Sequence, residues 1–254
     1  MTYVCVDMSN PIDQASVDAD LRGARAGDAT AQVRVGWRYA RGVGVAQDFA
    51  TAVDWFEKAA AAGEPDGLFN LGVARERGEG VATDLSAAVV LFERAAAKNH
   101  SGALFNLGNL YREGRGVSKD EQRAAALYER AAKLGHGSAA YNLAWMYENG
   151  AGIGQDSAHA AYWYHVAADV GDPESQGRYG YMLAAGIGVK RNAAEAVSWL
   201  KRAAEAGDAE AQFNFAVMLE NGDGTPENKE LAQLWYRTAA GNGHQAAAKA
   251  LQEL

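Results

Sequence analysis

The side chains with the most binding chemistry in this chain are aromatic, amide and guanidinium groups that recur 36 residues apart. One set reads Val33, Phe69, Phe105, Tyr141, Gly177 and Phe213. Four residues on, a second reads Trp37, Val73, Asn109, Trp145, Tyr181 and Val217. Between them Asn70, Asn106, Asn142 and Asn214 hold one place, which Arg34 and Arg178 take in the first and fifth copies. Aromatic side chains on a surface are common anchors of protein interfaces. An amide can both donate to and accept from a peptide backbone, and a guanidinium suits a carboxylate partner. Each set also has a framework reading. The Phe set can pack between neighbouring repeats, Asn can bond the next repeat and fix its stacking, and Arg can be solvated. The candidate partner-binding residues are Arg34, Trp37, Phe69, Phe105, Asn109, Tyr141, Trp145, Arg178, Tyr181 and Phe213. Glu148, Glu174, Glu210 and Glu220 outnumber basic residues nearby, which suits a basic or neutral partner in the C-terminal half, or an ordinary solvated face.

No residue pattern supports catalysis. The chain lacks His-Glu-x-x-His, Gly-x-Ser-x-Gly and Cys-x-x-Cys, and no nucleophile has a supporting base. His100, His136 and His244 share one repeat position and lie a repeat or more apart, too far to share a metal. The Gly-x-Gly pairs follow helical rather than strand-like stretches and lack a third glycine, so they are not a phosphate loop. The expectation is no enzyme, no cofactor and no metal.

Composition narrows the partner. The net charge is −8 over 254 residues, and no stripe of Lys and Arg is present to engage nucleic-acid phosphate or an anionic membrane. No apolar run approaches a membrane span. The opening MTYVCVDMSNPIDQ lacks the basic start and apolar stretch of a secretory signal. Cys5 is the single cysteine, so no intramolecular disulfide can form. These features point to a cytoplasmic protein that binds protein or peptide, not nucleic acid or membrane; a monomer is the expectation, but the sequence does not fix the oligomeric state.

The period itself positions these residues. Glycine recurs at 42, 78, 114, 150, 186 and 222, and again two residues later each time. Ala-Ala pairs recur at 59/60, 95/96, 131/132, 167/168, 203/204 and 239/240. A fixed period of this length marks a stacked repeat. Within the third copy, Leu104, Leu107, Leu110 and Tyr111 lie on one face of a first helix. Gly114 ends that helix in the left-handed conformation, and Val117 plugs the gap that follows. Asp120 caps a second helix, as do Asp48, Asp84, Asp156, Asn192 and Asn228 in the other copies. Asn192 with Glu195 reads as a capping box. The pairs Trp55-Phe56, Leu91-Phe92, Leu127-Tyr128, Trp163-Tyr164, Trp199-Leu200 and Trp235-Tyr236 fill the space between helices. The small residues Gly36, Gly72, Gly108, Ala144, Gly180 and Ala216 mark a close helix crossing.

The run Ala-Leu-Phe-Asn-Leu-Gly (103–108), with Tyr111, Gly114-x-Gly116-Val117, Asp120, Ala124 and Ala131-Ala132, resembles the Sel-one-like repeat, a longer relative of the tetratricopeptide repeat. The resemblance covers about residues 28–254. It implies an all-α, right-handed α-solenoid whose first helices line a concave groove, and an adaptor that holds other proteins. Some secreted members staple each repeat with a disulfide, which this chain cannot do. The expected layout is an N-terminal arm (1–11), a capping helix (12–27), six helical-hairpin repeats (28–63, 64–99, 100–135, 136–171, 172–207 and 208–243) and a C-terminal capping helix (244–254). The leading function is a non-enzymatic scaffold binding a partner on the concave groove. The alternatives are an immunity or regulatory protein covering one cognate enzyme and, further off, a small-molecule binder or enzyme.

Overall fold

The structure, a computed structural model, describes residues 14–253, and these form fourteen α-helices with no strand among them. The expected N-terminal arm and Cys5 lie outside the described residues. The chain divides into two compact units, at Leu134 and Gly135. The first holds α1 (Gln14–Arg25), α2 (Ala29–Arg41), α3 (Phe49–Ala61), α4 (Pro65–Arg77), α5 (Leu85–Ala96), α6 (Ser101–Glu113) and α7 (Glu121–Lys133). The second holds α8 (Gly137–Asn149), α9 (Ser157–Asp169), α10 (Pro173–Ala185), α11 (Ala193–Glu205), α12 (Ala209–Asn221), α13 (Lys229–Gly241) and α14 (Gln245–Glu253). Within each unit every helix packs on the next in sequence. First helices of successive repeats also touch directly, α2 on α4 and α10 on α12. The architecture is an all-α solenoid.

Each hairpin closes on one tight contact. A Cβ added at Gly36 would lie 2.5 Å from the Phe56 ring, at Gly72 2.6 Å from Phe92, and at Gly108 2.7 Å from Tyr128. The large residue of the second helix therefore sits directly on the backbone of the first. Phe56, Phe92, Tyr128, Tyr164, Leu200 and Tyr236 are all buried there. Where that residue is a tyrosine, its hydroxyl reaches across to the first helix. Tyr128 donates to Asn109 at 2.6 Å, Tyr164 to Glu148 at 2.7 Å and Tyr236 to Glu220 at 2.7 Å. Burial first, then the neighbouring carboxylate, pushes the Tyr164 and Tyr236 phenols above their ordinary range, so both remain donors.

The expected caps are present. Each first helix of a repeat ends at a glycine with positive φ, as at Gly42 (69°). Asp48, Asp84, Asp120, Asp156, Asn192 and Asn228 accept from N–H groups of the second helices they open. Asn192 and Glu195 depart from a capping box. The Asn192 N–H donates instead to the Leu183 carbonyl at 3.0 Å. Glu195 accepts from the Asn192 side-chain amide at 2.9 Å. That backbone bond recurs from Asp48 to Tyr39, Asp84 to Arg75 and Asp156 to Tyr147, tying the start of each second helix to the end of the first.

The second glycine of each Gly-x-Gly pair does more than lengthen the repeat. A Cβ at Gly80 would stand 2.2 Å from the Phe49 carbonyl oxygen, and at Gly188 2.0 Å from that of Ser157. The loop after a first helix thus rests on the opening turn of the preceding repeat's second helix. Farther along, Arg94 donates to the Ala60 carbonyl at 3.2 Å and Arg130 to that of Ala96 at 3.0 Å. Each guanidinium so covers the negative end of the previous repeat's second helix.

Two measurements test these contacts. Gly171 and Gly188 both have positive φ, but only Gly188 faces backbone within contact distance. In urea unfolding, Gly171→Ala should cost about 1–2 kcal/mol from backbone conformation alone, and Gly188→Ala about 3–4 kcal/mol once steric overlap is added. Hydrogen bonds from Thr51 hold the Asp48 carboxyl below the ordinary 3.8, and those from His159 do the same for Asp156. A depressed folded pKa means the stabilisation is complete above the unfolded value and is lost as pH falls through the folded one. Carboxyl carbon NMR titrations of both residues should therefore have midpoints below 3.8.

Candidate interaction surface on the first helices

In the first unit the candidate residues are mostly taken up by packing. Trp37 is 6% exposed, and Phe69 and Phe105 are buried as well. Phe69 is covered by the His100 imidazole, stacked at 4.5 Å, and tilts against Phe92 at 5.9 Å. His100 is held there because its Nδ1 caps α6, accepting from the Ala103 N–H at 3.0 Å. Its Nε2 meets Asp66 at 3.0 Å. The acceptor role of Nδ1 places the ring proton on Nε2. The sequence reading gave these histidines no role, although their place one residue before a first helix is an N-cap position. Phe105 tilts against Tyr128 at 5.9 Å, and half-buried Asn109 accepts that tyrosine's hydroxyl.

Arg34 does not offer a free charge. Its Nε meets Asp20 of α1 at 2.6 Å, while Arg38 meets the other oxygen of Asp20 at 2.8 Å and Ser16 at 2.7 Å. The two arginines fasten the capping helix to the first repeat. The Asn ladder is also framework in part, though not as expected. Asn70, 1% exposed, donates at 2.8 Å to the Asp66 carbonyl of its own helix rather than to a neighbouring repeat.

The second unit differs. Trp145 is 38% exposed and Tyr181 44%, one repeat apart at the position where Trp37 and Val73 are buried. Tyr141 and Phe213 are half-buried. Tyr141 meets the Tyr164 ring edge-on at 5.8 Å and donates to Glu174; burial, then that carboxylate, pushes its phenol up. Phe213 stacks on His244 at 4.5 Å, repeating the Phe69–His100 pair. Arg178 is exposed, its nearest carboxylate being Glu148 at 3.8 Å.

Between α10 and α12 the face opens into a pocket of about 440 Å³. Glu174, Gly177, Arg178 and Tyr181 line it from one face of α10, spaced three, four and seven residues apart. Asp208, Glu210 and Asn214 line it from the start and first turns of α12. Among the described residues no group of three or more His, Cys, Asp or Glu could hold a metal ion, and no helix is long and apolar enough to cross a membrane. The arrangement is a first-helix face with exposed aromatics beside a charged recess.

A solenoid of helical hairpins carrying such a face belongs to the repeat-protein class. Six consecutive segments, 29–64, 65–100, 101–136, 137–172, 173–208 and 209–244, match the Sel1 repeat, and the chain belongs to that family. The matched segments run one residue later than the period read from the sequence. Among solved structures, the chain resembles a protective antigen of uropathogenic Escherichia coli strains that displays this fold. The two are 32% identical with a TM-score of 0.84, over 95% of this chain and 51% of that one. The present chain therefore spans about half the length of that relative. It also resembles a Sel1 repeat protein from Oxalobacter formigenes, at 30% identity and a TM-score of 0.77, over 90% of this chain and 94% of that one. No curated protein matches it.

The framework role of Arg34 and Arg38 is testable. Asp20→Ala leaves both guanidinium groups without their carboxylate, one of them nine-tenths buried. Urea unfolding should show a loss of about 3 kcal/mol. A loss under about 0.5 kcal/mol would mean that the two arginines do not depend on α1.

Proposed function

We propose that this protein is a non-enzymatic scaffold that holds a segment of a partner protein on the first helices of its second unit. Proteins of the Sel1 repeat family are generally scaffolds for protein interaction. The observation that carries the reading is the exposure of Trp145 and Tyr181 in adjacent repeats, where Trp37 and Val73 at the matching positions of the first unit are buried and Asn109 is half-buried. Two large aromatic side chains held on rigid helices lose little entropy on binding, and such residues dominate interface energies. The acidic composition and the lack of a basic stripe favour protein over nucleic acid.

The test is a comparison of variants. Partner captured by the wild-type protein from extracts of its host is titrated against Trp145→Ala, Tyr181→Ala and, on the outer face of a second helix, exposed Tyr162→Ala. The first two should each weaken binding about tenfold or more, with circular dichroism unchanged, and the third should bind as wild type. Normal binding by both first-helix variants contradicts the proposal.

A further inference from the structure

We infer that the pocket at Gly177 receives the side chain of an arginine or lysine from the bound segment, an assignment that rests on the scaffold reading above. The pocket lies where the repeat breaks its own pattern. Phe69, Phe105, Tyr141 and Phe213 each fill the corresponding place with a ring, and Gly177 leaves it empty.

The framework does not require glycine there. Gly177 lies inside α10, and a Cβ on it would meet its nearest neighbours, Ala211 Cβ and Asp208 Oδ1, at 3.4 and 3.5 Å, which is ordinary contact. Gly180, one turn on, is different: its Cβ would fall 2.9 Å from Leu200. Glycine inside a helix is destabilising relative to alanine. A residue that weakens its helix and relieves no crowding is explained by the space it leaves.

The wall of that space selects a cation. Glu174, Asp208 and Glu210 stand against the single guanidinium of Arg178. Each carboxylate is held in place through one oxygen: Glu174 accepts from Tyr141, Asp208 from the Ala211 N–H at 2.6 Å, and Glu210 meets His244 at 3.1 Å. Their charge remains available while their positions are fixed, which is the condition for strong electrostatic complementarity. Exposed Tyr181 adds a ring face at the same wall, and cations, guanidinium above all, associate with such faces. At about 440 Å³ the recess has room for one long side chain, near the lower end of the roughly 300–1,000 Å³ of ligand sites.

The experiment is an amide NMR titration with acetyl-Ala-Arg-Ala-amide, using the norleucine and glutamate tripeptides and spermidine as comparisons. The arginine peptide should shift Gly177, Tyr181 and Asn214 at millimolar concentration, and more weakly as salt rises. Gly177→Phe, which installs the ring carried by other repeats, should abolish the shifts with helix content and melting temperature retained or raised. The double variant Glu174→Gln, Glu210→Gln should weaken binding about tenfold. Equal shifts from the norleucine or glutamate peptide, none from arginine, or binding that survives Gly177→Phe would each overturn the assignment. A strong preference for spermidine over the arginine peptide would overturn it in favour of a free polyamine. The scaffold reading fails separately. A captured partner lost by Trp145→Ala and Tyr181→Ala but retained by Gly177→Phe leaves that reading standing and removes the basic side chain from this pocket.

Discussion

The structure depends on one repeated contact: a large side chain of the second helix laid against bare backbone of the first. Rings at Phe56, Phe92 and Tyr128 occupy the space that a Cβ at Gly36, Gly72 or Gly108 would need. Alanine, the smallest residue with a Cβ, serves at Ala144 and Ala216, both fully buried. This contact sets how closely the two helices cross. The spacing in turn lets the tyrosine hydroxyls reach their acceptors on the first helix, and lets the N–H groups of Asp48, Asp84 and Asp156 bond carbonyls at its end. Once the hairpin is closed, the Gly-x-Gly loop is presented to the preceding repeat at a distance that excludes any side chain at Gly80 or Gly188. Intrarepeat and interrepeat order thus follow from glycines that have different jobs.

Much of this could be read from the sequence because it is local or strictly periodic. Helix ends follow from Asp48 or Gly114 without knowledge of distant residues, and a small residue kept opposite a large one announces a crossing. What could not be read depends on partners far apart in the chain. Asp20 lies 14 residues before Arg34, in a helix outside the period, so nothing in the repeat foretold that the guanidinium was engaged. Trp37 and Trp145 share a repeat position, yet one is buried and the other exposed, because their surroundings differ while their register does not. The capping role of His100 and His244 was missed because histidine is an uncommon cap, although its Nδ1 can accept as an aspartate oxygen does. Gly177 occupies the place of the aromatic set, but that this place is left open, and what lines it, depends on residues of α12 that only the fold brings alongside.

The two units put the same repeat to different uses. In the first, Phe69 lies under His100, Asp20 pairs with both Arg34 and Arg38, and Asn70 is turned back on its own helix. Its first helices spend their distinctive residues on packing. In the second, Trp145 and Tyr181 remain exposed, Arg178 has only a long contact to Glu148, and the ring at 177 is absent. Periodic positions make the framework, and departures from the period on the first helices of the second unit make the surface proposed to hold a partner.

Hydroxyl-radical footprinting of the protein with and without its captured partner tests that division most directly, because it reads exposure of aromatic side chains on every face at once. The account predicts protection of Trp145 and Tyr181, with exposed Tyr162 on α9 modified equally in both states. Protection centred on Tyr162 and the outer faces of the second helices, with Trp145 and Tyr181 unchanged, would contradict it.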